Sequence, residues 1–426
     1  MQNFLKKISL IFHDSSLRKR ILFVVVALII FRFLSTIPVP GIDPLKLQAF
    51  FNSSVGDVFG LFSIFSGGGL SNLSIVMLGV GPYITASIVM QLLTMIFPKL
   101  KEMYQEEGEA GRAKFTQYSR LLTVPLALIQ GGGFLLLLQK SNVVTQLGSM
   151  GMITNIVVVV AGSILLMWIG ELMTEFGIGN GTSLIIFAGI VANIPTLVSQ
   201  SLITFSAGQI PLHLAFIVVA LLVILGVVIV TEAERPIPVT YAKRVRGNKV
   251  YGGVSTYLPL RVNQAGVIPI IFALSLLIFP QMIFQYLATG FSSEVIKTVA
   301  TFILNILKNG WFYSIFYFIL VFLFTYFYTA VTFDPHAISE NLQKNGAFIP
   351  GVRPGQSTSE YIAKVLTRIT MVGATFLGAI AVLPLAMKAV TGIQSLAIGG
   401  TALLIVVSVV IDLMKKIDAQ VSMREY

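Results

Sequence analysis

The chain has no cysteine, which excludes disulfides and thiolate metal sites. Charge is scarce too: 11% of residues are Asp, Glu, Lys or Arg, 55% are hydrophobic, and the mean hydropathy is +0.87. Soluble domains carry about 25% charged residues, so a water-exposed surface for 426 residues cannot be assembled from this supply. The shortage of apolar side chain that sustains disorder is equally missing. Three histidines are present, His13, His213 and His336, all between or at the edges of apolar runs, so neither a proton relay nor a clustered metal site is expected. No Ser-His, Asp-Asp or Cys-His pairing points to intramembrane catalysis, which leaves an intramembrane protease without support. No Gly-x-x-x-x-Gly-Lys-Ser/Thr phosphate loop occurs. These absences describe a polytopic membrane protein that is not an enzyme, takes no cofactor and has no energy source of its own.

Ten apolar stretches are long enough to span, since a crossing helix needs about 20 residues. They run over 21–37, 73–97, 121–138, 153–169, 182–198, 212–230, 267–287, 311–331, 369–387 and 396–413. The first is followed by Arg32 and the turn Pro38-Val39-Pro40-Gly41 rather than a small-residue cleavage site, so it reads as a retained span. Twenty-three of the 29 Lys and Arg fall on one side of this layout: the N-terminus, the second, sixth and eighth connections with their flanks, and the C-terminus. Positive charge marks the cytoplasmic side, so both termini are expected there. The implied organisation is a cytoplasmic amphipathic segment over 1–20 and two halves over 21–200 and 201–414. Long basic loops lie at 232–264 and 332–366, and a tail at 415–426. In the N-terminal segment Phe4, Leu5, Ile8, Ile11 and Phe12 share one helical face beside Lys6 and Lys7, which suits either an interfacial helix or a plain tail.

Ion-coupled transporters and pumps need ionisable groups at membrane depth. Here Arg32 sits near an outer span end, where it can snorkel, and Glu171 and Asp412 sit near cytoplasmic ends. A secondary transporter of small solutes built on inverted repeats is therefore the weaker alternative to a channel.

Three segments between spans stand out. Val58 to Gly69 is apolar, too short to cross, and closed by Gly67-Gly68-Gly69. It reads as a half-helix with a hinge or as an external loop folded over the protein. The sixth connection carries Tyr241-Ala242-Lys243-Arg244 and Tyr251-Gly252-Gly253 between Val/Ile-rich runs, the pattern of a β-hairpin. The eighth displays Arg353 within Gly346-Ala347-Phe348-Ile349-Pro350-Gly351-Val352-Arg353-Pro354-Gly355. Turn residues this dense suggest a rigid presented tip rather than a bare positive-inside signal.

Several strings, in this order, resemble the SecY family, the channel subunits of the bacterial protein-export translocon. They are Ile37-Pro38-Val39-Pro40-Gly41-Ile42, Phe65-Ser66-Gly67-Gly68, the run Gly81 to Leu93, Gly177-Ile178-Gly179-Asn180-Gly181, the run Leu258 to Pro269, Asn341 to Gly346, Phe348 to Gly355, and Gly399-Gly400-Thr401. The resemblance covers nearly the whole chain. It implies an all-α polytopic membrane protein of ten transmembrane helices, arranged as two inverted pseudo-repeat halves around an hourglass pore in the cytoplasmic (inner) membrane. Such a pore passes unfolded secretory proteins and releases transmembrane segments sideways into lipid.

The resemblance also assigns residues. The pore ring falls on Val80, Ile84, Ile186, Ile190, Ile271 and Ile405, with Val80 smaller than the family's isoleucine. The plug is Phe59, Leu61, Phe62, Ile64, Phe65, Gly67 and Gly68. The lateral gate between spans two and three and spans seven and eight includes Thr85, Ile88 and Phe279. Partner docking falls on Arg235, Lys243, Arg244 and Arg353, with Pro236 departing from an often basic position. The implied partners are SecE-type and SecG-type small subunits, a SecA-type motor ATPase, the ribosome with its rRNA phosphates, signal sequences, nascent chains and membrane lipids. Independently of the family, Val80/Ile84 and Ile186/Ile190 are i, i+4 pairs on one helix face.

Overall fold

The computed structural model describes residues 14–41, 46, 66, 68–70, 73–140, 143–144, 148–203, 210–242, 244–246, 249–251, 255–290, 294–391 and 394–422. The helices are α1 Ser15–Leu34, α2 Gly81–Ile96, α3 Pro98–Gln105, α4 Gly108–Lys140, α5 Ser149–Phe176, α6 Gly181–Ile203 and α7 Ile210–Glu232. They continue as α8 Ile268–Gly290, α9 Glu294–Lys308, α10 Gly310–Thr332, α11 Pro335–Lys344, α12 Gln356–Thr391 and α13 Gln394–Ser422. Each predicted apolar stretch falls on one of these. By length and composition alone, five described helices can cross a membrane, six if the bent pair α2–α3 is one span.

Caps and prolines set the ends. Asp14 accepts from the Ser16 N–H at 2.8 Å to open α1, and Asn309 accepts from the Trp311 N–H at 3.1 Å to open α10. Pro82 occupies the first turn of α2, where its missing N–H costs nothing. Phe97, held extended by the proline after it, turns the chain through 113° into α3.

The second predicted span is corrected at its start. Residues 73–80 form turns rather than helix, and α2 begins only at Gly81. The reason is a set of polar contacts from α5 and the end of α1. Val39 N–H donates to Leu73 O at 2.9 Å and Ile75 N–H to Ile37 O at 2.9 Å. Ser163 Oγ donates to Gly79 O at 3.0 Å, and Asn155 Nδ2 to Pro40 O at 3.1 Å. An added Cβ on Gly162 would collide with the Ile75 carbonyl, so glycine there lets this irregular backbone lie against α5. Non-helical backbone at membrane depth persists where protein satisfies it in this way.

One continuous apolar core joins α1, α2, α4, α5, α6, α8, α10, α12 and α13. The two parts of the chain meet along two main seams: α2 and α4 against α8, and α6 against α13. Around the outside, apolar side chains are left exposed, including Ile29 and Phe33 on α1, Leu221 and Leu225 on α7, and Ile315 and Leu323 on α10. A membrane protein presents such a surface to lipid.

The sixth connection is a β-hairpin, as its pattern indicates. Strands β1 Glu234–Tyr241 and β4 Ser255–Arg261 pair antiparallel, with Glu234 opposite Arg261 and Thr240 opposite Ser255. The short strands β2 Arg244–Arg246 and β3 Lys249–Tyr251 pair further along. Strand β5 Ala347–Phe348 adds to β1 only at Thr240 and Tyr241. Pro236 and Pro238 therefore sit where β1 has one neighbour, the edge position that tolerates a missing donor. Ile237, Val239 and Leu260 point inward onto Ala347, Ile349, Ile362 and Val365, giving this end a small core of its own. The helix α12 starts at Gln356, so its first turns lie within the predicted 332–366 connection.

Candidate functional site: a polar vestibule over an aliphatic collar

A cavity of about 300 Å³ opens at the sheet end of the bundle. Asn180 and Ser183 line it from the start of α6, Asn263 to Ile268 from the approach to α8, and Ser408, Val409 and Ile411 to Leu413 from α13. Ion pairs mark its rim: Arg261–Glu234 at 3.3 Å, Lys415–Glu232 at 2.9 Å and Lys416–Asp412 at 2.9 Å. Exposed pairs of this kind contribute about 0–1 kcal/mol each, so they shape the mouth more than they hold it.

One helical turn deeper the chemistry changes. Ile186 follows Ser183 on α6, Ile271 follows Ile268 on α8, and Ile405 precedes Ser408 on α13. With Val80, Ile84 and Ile190, these side chains are buried and belong to a single apolar cluster. All six residues assigned from the resemblance belong to the large apolar core of the bundle, with Ile186, Ile271 and Ile405 each one turn from a residue that lines the polar cavity.

A further turn along α6 lies Asn193, which sequence reasoning did not single out. Gly68 rests against it: a Cβ at Gly68 would stand 3.2 Å from both Nδ2 and Oδ1 of Asn193 and 3.6 Å from Nη1 of Arg32. Gly68 has φ of +81°, a conformation that favours glycine. Beyond it Ser66 Oγ accepts from the Leu70 N–H at 3.0 Å, and Ser74 N–H donates to Gly69 O at 2.8 Å. The other residues assigned to the plug, Phe59, Leu61, Phe62, Ile64, Phe65 and Gly67, lie outside the described residues.

Thr85 and Ile88 sit on α2, whose packing against α8 forms the first seam; Thr85 Oγ1 donates to Gly81 O at 3.0 Å and Ile88 is buried. Phe279 lies on α8, but its side chain is outside the described set. Separately, Gln105 Nε2 at the end of α3 donates to Val331 O on α10 at 3.5 Å. An Arg120–Glu171 ion pair at 2.7 Å ties α4 to α5, close to Tyr83 of α2. Nothing but the presence of Tyr and Glu in apolar runs signals this cluster in the sequence.

Of the docking candidates, Arg235 is exposed on β1 and Arg353 is exposed on the turn after β5. That turn is built firmly: Thr358 Oγ1 donates to Arg353 O at 2.9 Å, Ser339 Oγ to Gly355 O at 2.6 Å, and Val352 N–H to Ile349 O at 3.1 Å. Nearby, the Lys344 ammonium lies 2.8 Å from Glu340 and holds that exposed carboxyl below the usual range by hydrogen bond and charge. Arg244 lies on β2, with its side chain outside the described residues, as is Lys243 altogether. Among the described residues no group of three His, Asp or Glu is placed to hold a metal.

Comparison with known proteins settles the family. The SecY family profile matches residues 74–414. The chain belongs to the SecY family. Protein translocase subunit SecY of Mycobacterium tuberculosis (strain ATCC 25618 / H37Rv) is 41% identical, covering 96% of each chain. That of Thermus thermophilus is 42% identical over 96% of this chain and 94% of its own. In three dimensions the fold is similar to a solved structure described as "The structure of a protein conducting channel", with a TM-score of 0.67 at 20% identity over 96% of this chain and 93% of that one. It is similar as well to canine Sec61 in a ribosome-channel complex, TM-score 0.63, 18% identity, 96% and 93% coverage. This SecY-family chain is a protein translocase subunit; the solute-transporter alternative is not favoured.

Proposed function

We propose that the aliphatic collar beneath the vestibule is the constriction through which an unfolded chain threads, and that the protein performs no chemistry of its own. The stacking along α6 carries this reading: polar Asn180 and Ser183 at the mouth, Ile186 and Ile190 at the waist, and Asn193 against the glycine that ends the plug segment. An export pore must accept any sequence, and fixed charge or a carbonyl filter would trap some. An apolar collar sheds water when empty, which blocks ions, and yields around a passing polymer without gripping it.

In this reading 58–69 is the plug closing the far side, and α2 and α4 part from α8 and α10 at a lateral gate. An apolar segment leaves through that gate into lipid, driven by about 25 cal/mol per Å² of apolar surface buried. The ten apolar runs are ten spans in the inner membrane, with 1–20 and 415–426 in the cytoplasm. Support comes from the shared placement of chain ends: Leu17 at the start of α1 packs with Val421 at the end of α13 and with Ile178 beside the vestibule. The basic Arg18, Lys19, Arg20, Lys415 and Lys416 therefore gather at one end.

Work comes from outside: a SecA-type motor or the ribosome docks on the sheet end through Arg235, Lys243, Arg244 and Arg353, and SecE-type and SecG-type subunits complete the channel. The test is reconstitution with those subunits and the motor in vesicles. ATP-dependent protease protection of a secretory precursor is the expected result. Uptake of small solutes on an ion gradient, with no precursor protected, would overturn it.

A further inference from the structure

Helix α9, Glu294–Lys308, joins α8 to α10 at the end of the bundle opposite the sheet. At 3.6 residues per turn its side chains sort into three sectors. Ala300 and Leu304 are buried on Phe284, Leu287 and Ala288 of α8. The adjoining sector, Val295, Val299, Phe302 and Ile306, is bare, with Val295 73% and Phe302 65% exposed. The third sector is polar and exposed: Lys297, Thr298, Thr301 and Asn305.

A helix in water with protein on one side would show one apolar sector. Two adjoining apolar sectors, with the polar one opposite, describe a helix at a three-way junction of protein, hydrocarbon and water. The neighbouring surface agrees. Asn309 links α9 to α10 without a spacer, its N–H on Ile306 O at 3.2 Å and its side chain capping Trp311. Trp311, 80% exposed, then starts a face that runs through Ile315 and Ile319 to Leu323, all exposed and apolar. An indole at that point is the usual marker of the headgroup level, and the bare side of α9 continues the lipid-facing surface of α10.

We propose that α9 lies in the plane of the bilayer at the leaflet away from the sheet, with Val295, Val299, Phe302 and Ile306 seated among lipid acyl chains. It ties the ends of α8 and α10 to that leaflet. The consequence for gating rests on reading α8 and α10 as gate helices: parting them drags α9 through the headgroup layer, so lipid packing there enters the cost of opening.

The chain's lack of cysteine makes the test direct. Nitroxide labels are placed singly at V299C, F302C, T298C and N305C in the full channel complex in anionic phospholipid vesicles. Positions 299 and 302 are expected to collide with dissolved oxygen several-fold more than with a water-soluble nickel chelate, and 298 and 305 the reverse. Nickel preference at 299 and 302 would place the helix in water; exclusion of both reagents would mean a protein covers it. Either result overturns the proposal. In a W168F background, headgroup-proximal brominated lipid should quench Trp311, and V299E/F302E should weaken that quenching; unaltered quenching in the double variant would contradict the anchor. No precursor crosses the membrane in these measurements, so their outcome is separate from that of the pore reading.

Discussion

Gly68 stands so close to Asn193 that a single added carbon would press on both atoms of the amide, at 3.2 Å from each. Asn193 lies one helical turn beyond Ile190 on α6, and Gly68 belongs to the glycine run at the end of the apolar 58–69 segment. In the proposed reading, α6 carries residues of the mouth, the waist and the seat of the plug in succession.

Replacing Gly68 with valine tests that register. The left-handed backbone costs a β-branched residue about 1–3 kcal/mol, and the contact with Asn193 has to open as well. The expected outcome is a raised resting conductance in planar bilayers with the protein still folded and inserted. Glycine-like conductance in G68V would show that this seat has no part in closure.

A polar side chain in the collar should admit water. Ile84→Asn and Ile405→Asn each leave an amide in an apolar cluster, at a cost of about 1–3 kcal/mol if unpaired, and offer water a foothold. Ion leak of the resting channel should rise in both, and defective signal sequences should be exported more readily. Conductance equal to that of the parent protein would count against the collar as the ion barrier.

The start of α2 depends on close approach to α5. Gly162→Ala places a methyl group into the Ile75 carbonyl, and such overpacking costs about 1–3 kcal/mol. Lower thermal stability in detergent is expected, with the gate helix displaced. A variant as stable as the parent would mean the 73–80 turns can shift freely.

Arg353 sits on a turn fixed by Thr358 and Ser339. Arg353→Glu should abolish motor-driven export while assembly and resting conductance stay normal, and Thr358→Val, by loosening the same turn, should reduce export partially. Normal export in R353E would remove this tip from the docking surface.

The apolar runs were legible because lipid imposes their length and composition, and each of them falls on a helix. The β1–β4 hairpin was legible from alternating Val and Ile around turn residues. The 73–80 turns were not: Leu73 to Val80 is as apolar as the helix that follows, and its backbone is instead paired with Ser163 on another helix and with Ile37 and Val39 after α1. The collar residues have the same difficulty, since nothing local separates Ile405 from a lipid-facing isoleucine such as Ile29. Only the family resemblance singled them out, since they share one apolar core with most other buried side chains of the bundle. Asn193 and the bare face of α9 went unnoticed because their meaning lies in what the rest of the chain puts beside them.

The most direct measurement uses the cysteine-free background once more. A secretory precursor is stalled mid-passage, and single cysteines at positions 80, 84, 186, 190, 271 and 405 are crosslinked to it, with Ile29 and Leu221 as lipid-facing controls. The account predicts adducts at all six collar positions and none at the controls. A stalled chain that bypasses the six and is captured elsewhere on the protein would contradict it.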